Sequence, residues 1–408
     1  MIPYADALKL LLAESRALED EWCRCSDALS RVLAEPVHAP RALPPFTNAA
    51  MDGYAFASEG NVLAADSEYE VGGLIAAGAP PPTNAGTKVW EITTGAALPA
   101  GLDCIVPLER VERLEGGRIR LREALIGGQN VRPRGSDVAI GTQVGTAGQR
   151  VDPALRMMLA ALGIDRIKLR RRPRVALLST GAELIASPSL PLGEGQIYAA
   201  NAPYLEASLH AMGAEVIANT ALGDDAQAFA VQLREVAARA DVVVSTGAVS
   251  MGRHDFIPAS LRSMDARLLF HKVAIRPGKP LLAASLPEGP LFIGLPGNPI
   301  AAAVGFRFFV VPVLRALLGM PPEIPLRAPL SESVRVTAGL RRFFKARLRH
   351  SDSSGMGLEL LEGQESYRIG SLLQANAWAV LDEDADELPA GALVEVLPRD
   401  AGGGWFID

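Results

Sequence analysis

Val175-Ala-Leu-Leu178 leads into Ser179-Thr-Gly-Ala-Glu183, and Asp241-Val-Val-Val244 leads into Ser245-Thr-Gly-Ala-Val-Ser-Met-Gly252 and Arg253-His-Asp255. Arg276-Pro-Gly-Lys-Pro280 follows, then Gly294-Leu-Pro-Gly-Asn-Pro299 and a long apolar helix. Apolar runs this short, without polar alternation, read as parallel strands buried on both faces. Each run ends in glycine and a polar or charged residue. Open α/β sheets bind ligands in the crevice beyond the carboxyl ends of their strands. The stretch from Arg174 to Leu318 is therefore read as the domain that carries the chemistry.

The surrounding chain divides by texture. Residues 1–42 and 145–172 read as a helical linker region. Within it, helices are expected over 4–18, over 27–35, and from an Asp152 cap with Pro153 at the first turn to Gly163. Residues 43–144 read as an inserted β-rich domain with a hairpin over 111–121 that turns at Gly116-Gly117. Its Gly and Pro content argues against a large core of its own. The run Lys168-Leu-Arg-Arg-Arg-Pro-Arg174 reads as a solvated linker. Residues 173–322 form the central α/β domain, whose βαβ alternation implies right-handed crossovers and a mostly parallel sheet. In it, Asn201 opens a helix ended by Gly213, Asp224-Asp-Ala-Gln227 caps a helix to Ala240, and 281–285 and 290–294 pair as a hairpin at the sheet edge. Residues 323–408 form a C-terminal β-barrel-like domain. The fold class is thus a multidomain α/β protein.

Composition narrows the function. At 408 residues with 49% hydrophobic content, the chain is long and apolar enough for several cored domains. A net charge of −6 disfavours a nucleic-acid footprint. No uncharged apolar run reaches the length of a membrane span, and the start lacks a signal-peptide pattern. The three cysteines, Cys23, Cys25 and Cys104, form no disulfide framework or zinc spacing. A reducing, cytoplasmic setting is expected.

Glu183, Asp224, Asp225 and Asp255 fall just after predicted strands or at helix starts, with no His-Cys cluster among them. Carboxylates of this kind suit a hard cation such as Mg²⁺, although either Asp224 or Asp225 is equally read as a helix cap. The glycine loops at 247–252 and 296–299 expose backbone N–H groups, and Arg276 and Lys279 add positive charge. Together they suit a phosphate or another oxyanion. No Walker A loop, dinucleotide fingerprint or Ser-His-Asp order is present.

The strings Pro44-Pro-Phe-Thr-Asn-Ala-Ala-Met-Asp-Gly-Tyr-Ala55, Ser179-Thr-Gly-Ala-Glu-Leu184, Arg276-Pro-Gly-Lys-Pro280, Gly294-Leu-Pro-Gly-Asn-Pro299 and Ala375-Asn376 resemble the MoeA family, the molybdopterin molybdenumtransferases related to the gephyrin E domain. The resemblance runs in order over nearly the whole chain. It implies a homodimer with its cleft between the central domain of one subunit and the inserted domain of the other. It also implies the reaction: molybdate, with Mg²⁺, acts on adenylylated molybdopterin, the metal enters the dithiolene and AMP leaves. By motif position it implies functional roles for Asp52, Thr94, Asp137, Glu183, Asp224, Asp255, Lys279, Pro296 and Pro299. Glu183, Asp224 and Asp255 would serve Mg²⁺, and Lys279 the oxyanion. Ser250, Arg276, Asn298 and Ser371 join the substrate-binding set. The chain departs from the family pattern at Ala248, where glycine is usual, and at Arg276, where lysine is usual. A single-domain molybdopterin adenylyltransferase and a gephyrin-like scaffold are the competing readings. Other cofactor-biosynthesis proteins are the expected partners.

Overall fold

The computed structural model describes residues 1–83, 85, 88–249, 256–287, 289–351 and 355–402. The quoted apolar runs form the heart of a six-stranded sheet in the order 215–222, 174–180, 242–246, 291–295, 282–285, 267–271. The first four strands are parallel, and the strand 282–285 runs antiparallel to both of its neighbours. The 281–294 hairpin is present, but the strand Arg267–His271 lies outside it and takes the edge.

Apolar residues on both sheet faces find cover. Helices Ala226–Ala237 and Ile257–Ser263 bury Phe229, Leu233, Ile257 and Leu261 against one face. The other face meets a continuous helical rod from Pro299 to Leu317 with a π-turn over Phe306–Val310. By length and hydropathy this rod could cross a membrane, yet 83% of it is buried inside the protein. A helix apolar on all sides and covered on all sides is a core helix. Phe308 stacks on Phe343 of the C-terminal region with ring centroids 4.0 Å apart, and Tyr4 of the first helix meets Phe309 edge-on at 5.3 Å. Inside the rod, Arg307 is held by both carboxylate oxygens of Glu323, at 2.7 and 3.1 Å.

Several sequence expectations need correction. The first helix is Tyr4–Glu14, shorter than 4–18. No helix spans 27–35: the chain makes one 3₁₀ turn at Cys25–Asp27, Ser30 takes φ 65°, and Val32 and Leu33 bridge to Arg150 and Leu169. The linker region is mixed, because Asp20–Arg24 pairs antiparallel with Arg166–Arg170. The basic run is solvated only in part: Arg172 and Arg174 are exposed, while Lys168, Arg170 and Arg171 are half-buried. Its first half is that strand, and Arg171 donates to both oxygens of Asp241 at 2.7 and 2.8 Å. Asp241 also accepts from the Arg174 N–H at 2.7 Å. The helix expected to reach Ala240 ends at Ala237.

The inserted region builds a six-stranded sheet in the order 104–107, 53–56, 89–92, 68–75, 118–121, 111–114. It buries two apolar clusters, one around Tyr54, Phe56 and Ile119, the other around Ile75, Ile92 and Ile105. The expectation of a poor core fails there, because its strands between the turns are apolar. The 111–121 hairpin turns at Gly116 and Gly117, both at φ 72°. Asp152 caps its helix, accepting from the Leu155 N–H at 2.7 Å.

In the C-terminal region, strands 326–329, 341–351, 355–360, 377–381 and 393–398 form a sheet that curls until Leu330 bridges Leu358. A short piece of the central chain, Ile275–Arg276, adds to this sheet in parallel beside Arg341 and Arg342. The central and C-terminal sheets are thereby joined at the loop that carries Lys279.

Candidate active site

The carboxyl ends of strands 174–180 and 242–246 are hydroxyl-rich. Ser179, Thr180, Ser245 and Thr246 are all buried there. Thr180 Oγ1 donates to the Thr246 carbonyl at 3.1 Å. The chain then turns sharply. Gly181 takes φ 148°, and a Cβ on it would sit 2.8 Å from the Glu183 carboxylate. Gly247 takes φ 88°, and a Cβ there would fall 2.4 Å from the Thr180 carbonyl oxygen. Positive φ favours glycine at both places, and at Gly247 the close approach of the Thr180 backbone requires it as well.

These turns open a cleft of about 780 Å³. Glu183, Asp224, Asn201, Pro296, Asn298 and Pro299 line it. The two adjacent aspartates divide their work. Asp225 caps the next helix, accepting from Gln227 N at 2.8 Å and Ala228 N at 3.1 Å. Asp224 is exposed in the cleft. Asn201 Nδ2 donates to the Gly297 carbonyl at 2.7 Å and so fixes the Pro296–Pro299 turn.

A second cavity of about 880 Å³ adjoins the first and shares Pro280, Pro296, Asn298 and Tyr367 with it. It lies between the central loop and the C-terminal sheet and is lined by Arg276, Lys279, Arg335 and Arg342. Gly278 makes the loop possible, with φ 112° between two prolines.

Sequence reasoning missed the wall contributed by residues 363–369. Ser366 and Tyr367 line the second cavity, and Tyr367 and Ile369 line the first. The Ser366 carbonyl accepts from the Ile300 N–H at 2.9 Å, which ties this segment to the first turn of the apolar helix. Lys345, fully buried, holds the same segment through the Gly363 and Arg368 carbonyls at 2.6 and 3.1 Å. Burial pushes its ammonium down to about 8. The signal was a lone lysine in the strand Arg341–Ser351, which alternation alone does not mark as buried.

The remaining candidates lie elsewhere. Asp52 and Thr94 face solvent on the inserted domain and line neither cavity. Asp52 Oδ1 accepts from Thr94 N at 2.6 Å and Thr94 Oγ1 at 2.9 Å. Those bonds, the backbone one first, hold its carboxyl below the ordinary aspartate value. Its contribution is present above that ordinary range and lost as pH falls through the lowered value. Asp137 is exposed on a loop of the same domain. Ser371 lines neither cavity, since its hydroxyl donates to the Gly363 and Arg368 carbonyls. Ser250 and Asp255 lie outside the described residues.

Ala248 sits at φ 49° in the left-handed region. An L-side chain there costs about 1–2 kcal/mol. The unfolded freedom of glycine offsets about 0.5–1 kcal/mol of that. Ala248→Gly is expected to raise stability by up to about 1.5 kcal/mol. Chemical denaturation checks it, and a loss of stability would show the backbone there is unstrained.

Three family models match this chain in sequence: the MoeA N-terminal region (domain I and II) over residues 2–163, the probable molybdopterin binding domain over 176–316, and the MoeA C-terminal region (domain IV) over 327–398. The molybdopterin molybdenumtransferase of Synechococcus elongatus is 36% identical, with 97% of this chain and 99% of that one covered. The chain belongs to the MoeA family. Molybdopterin molybdenumtransferase 2 of Mycobacterium tuberculosis is 37% identical over 91% of this chain and 93% of its own. Among solved structures, the molybdopterin biosynthesis MoeA protein of Pyrococcus horikoshii superposes with a TM-score of 0.81 at 28% identity, covering 97% of this chain and 99% of that one. In this chain the two cavities lie where the regions matched by the molybdopterin binding domain model and the MoeA C-terminal model meet.

Proposed function

We propose that the chain is a molybdopterin molybdenumtransferase, which inserts molybdate-derived metal into adenylylated molybdopterin and releases AMP. One observation carries the reading within this fold: a carboxylate-lined cleft opens directly onto a cation-lined cavity. The first suits an adenylylated substrate and the second a tetrahedral oxyanion. Asn201 and the Pro296–Pro299 turn shape the first, while Arg276 and Lys279 hold the oxyanion beside it.

Glu183 and Asp224 fit Mg²⁺: both are exposed oxygen donors in one cleft, and no cation among the described residues occupies either. They would hold it, with Asp255 as the third ligand implied by the family pattern. When bound, Mg²⁺ would neutralise charge on the phosphates of the substrate. Among the described residues no group of three His, Cys, Asp or Glu stands ready to hold a metal; Asp255 lies outside them.

A homodimer is part of the proposal. Asp52 and Thr94 present a fixed carboxylate and hydroxyl to solvent away from both cavities, so a second copy is what would bring them to a cleft. Asp137 of the inserted domain would arrive with them, and Ser250 would face the substrate from the central loop. The domain divisions in this reading are 1–42 with 145–172, 43–144, 173–322 and 323–408; the separate sheets over 53–121, 174–295 and 326–398 support them. The three free thiols suit a cytoplasmic setting.

Lys279→Ala removes one charge-assisted contact of about 1.5–3 kcal/mol. Molybdate affinity is expected to fall roughly tenfold to a hundredfold, read by calorimetric titration. Parental affinity in the variant would reduce the loop to a surface turn. AMP release from adenylylated molybdopterin tests the reaction itself. An adenylyltransferase would instead consume ATP and release pyrophosphate, and a scaffold would do neither.

A further inference from the structure

The joint between the two sheets brings like charges together. The two-residue strand Ile275–Arg276 runs parallel to the strand 341–351, with Arg276 the direct partner of Arg342. Like charges directly opposite across a strand pair are destabilising. A carboxylate between them is the usual remedy, and none is present among the described residues. Of the charged groups lining the cavity, Arg335 is held by Glu387 and Glu365 by Arg368. Arg276, Lys279 and Arg342 are left without an ion-pair partner among the described residues.

Arg342 is the least exposed of the three, at 8%. One nitrogen, Nη2, donates to the Thr337 carbonyl at 2.9 Å. Its Nε has no hydrogen-bond partner. Burial, then the Arg276 charge, pulls its guanidinium below the ordinary arginine value. A buried guanidinium with an idle donor beside a second arginine is costly unless an anion completes it.

Resting on the oxyanion cavity proposed above, we infer that Arg342 is a further anion-binding residue, and that a tetrahedral oxyanion neutralises the Arg276–Arg342 pair. The planar fork of arginine suits two oxygens of such an anion. The ligand would then touch the central loop through Arg276 and Lys279 and the C-terminal sheet through Arg342. Its binding would draw the two regions together.

The test is Arg342→Gln in the full chain, with Arg342→Lys alongside as the charge-preserving control. Molybdate, tungstate, sulfate and inorganic phosphate are titrated calorimetrically, and melting is followed with and without each. Arg342→Gln is expected to weaken molybdate binding about tenfold or more. The unliganded protein is expected to melt no lower than the parent, because a like-charge contact is removed. The rise in melting temperature on adding the oxyanion is expected to shrink. Arg342→Lys retains part of both effects. Arg342→Gln that melts lower while binding molybdate like the parent overturns the inference and makes Arg342 structural. If Lys279→Ala weakens binding and Arg342→Gln does not, the cavity stands and the Arg342 role falls. If neither variant changes binding, the oxyanion cavity and the Arg342 role fall together.

Discussion

Glu183→Gln is expected to slow AMP release about a hundredfold or more, the usual effect of deleting one electrostatic group at a reacting centre. The substitution is nearly isosteric and the side chain is exposed, so melting should not move. The charge is what the cleft loses. Glu183 and Asp224 line the same space from the ends of neighbouring strands, so they share one task if a single cation lies between them. Two signatures follow. The Mg²⁺ concentration for half-maximal release should rise in Glu183→Gln and in Asp224→Asn. The double variant should lose less than the product of the single effects, because residues acting as a unit are not additive. Gly181→Ala should mimic the defect in part, since a Cβ there would meet the Glu183 carboxylate. Parental turnover with an unchanged Mg²⁺ requirement in Glu183→Gln would remove Glu183 from the site.

Asp241→Ala is expected to cost about 2–3 kcal/mol, somewhat below the range for breaking a fully buried pair. Asp241 is 15% exposed and Arg171 23%, so part of the pair is solvated. Three donors converge on its carboxylate: two from Arg171 and the Arg174 N–H. Removing it leaves a half-buried guanidinium whose one remaining ion-pair partner among the described residues is the exposed Glu19. The entry of strand 174–180 into the sheet loses its side-chain anchor at the same time. Denaturation should show an earlier transition in the variant. A cycle with Arg171→Ala should return a coupling of about 1.5 kcal/mol or more, in the range for contacting charged partners. Simple additivity would mean that the pair holds nothing.

What was legible in the sequence was local. The strands 174–180, 242–246 and 291–295 announce themselves as uninterrupted apolar runs, and the Asp152 cap and the Gly116-Gly117 turn depend on neighbours within a few residues. Glu183 and Asp224 were legible for the same reason, since strand ends are visible. What failed depended on distant partners. The spacing of 27–35 fits a helix, but Val32 and Leu33 are claimed by Arg150 and Leu169. Arg171 of the basic run looks solvated until Asp241, some 70 residues on, is placed against it. Ser371 was the expected binding residue, but Ser366 lines the cavity, and polarity alone does not distinguish two serines five residues apart. Only the fold shows which of them lines a cavity and which hydrogen-bonds its own loop.

The helical rod 299–317 has a consequence for how the polypeptide comes off the ribosome. One flank is sealed by Tyr4 and the first helix, the other by Phe343 and Trp378. The rod therefore emerges with one cover already made and the other still unsynthesised. Until about eighty further residues have followed, its Phe308 side is open to water. Exposed apolar surface on a half-made chain is the usual starting point of aggregation. Truncating either the first helix or the last sheet should thus leave the central domain sticky rather than merely less active, however intact its own strands.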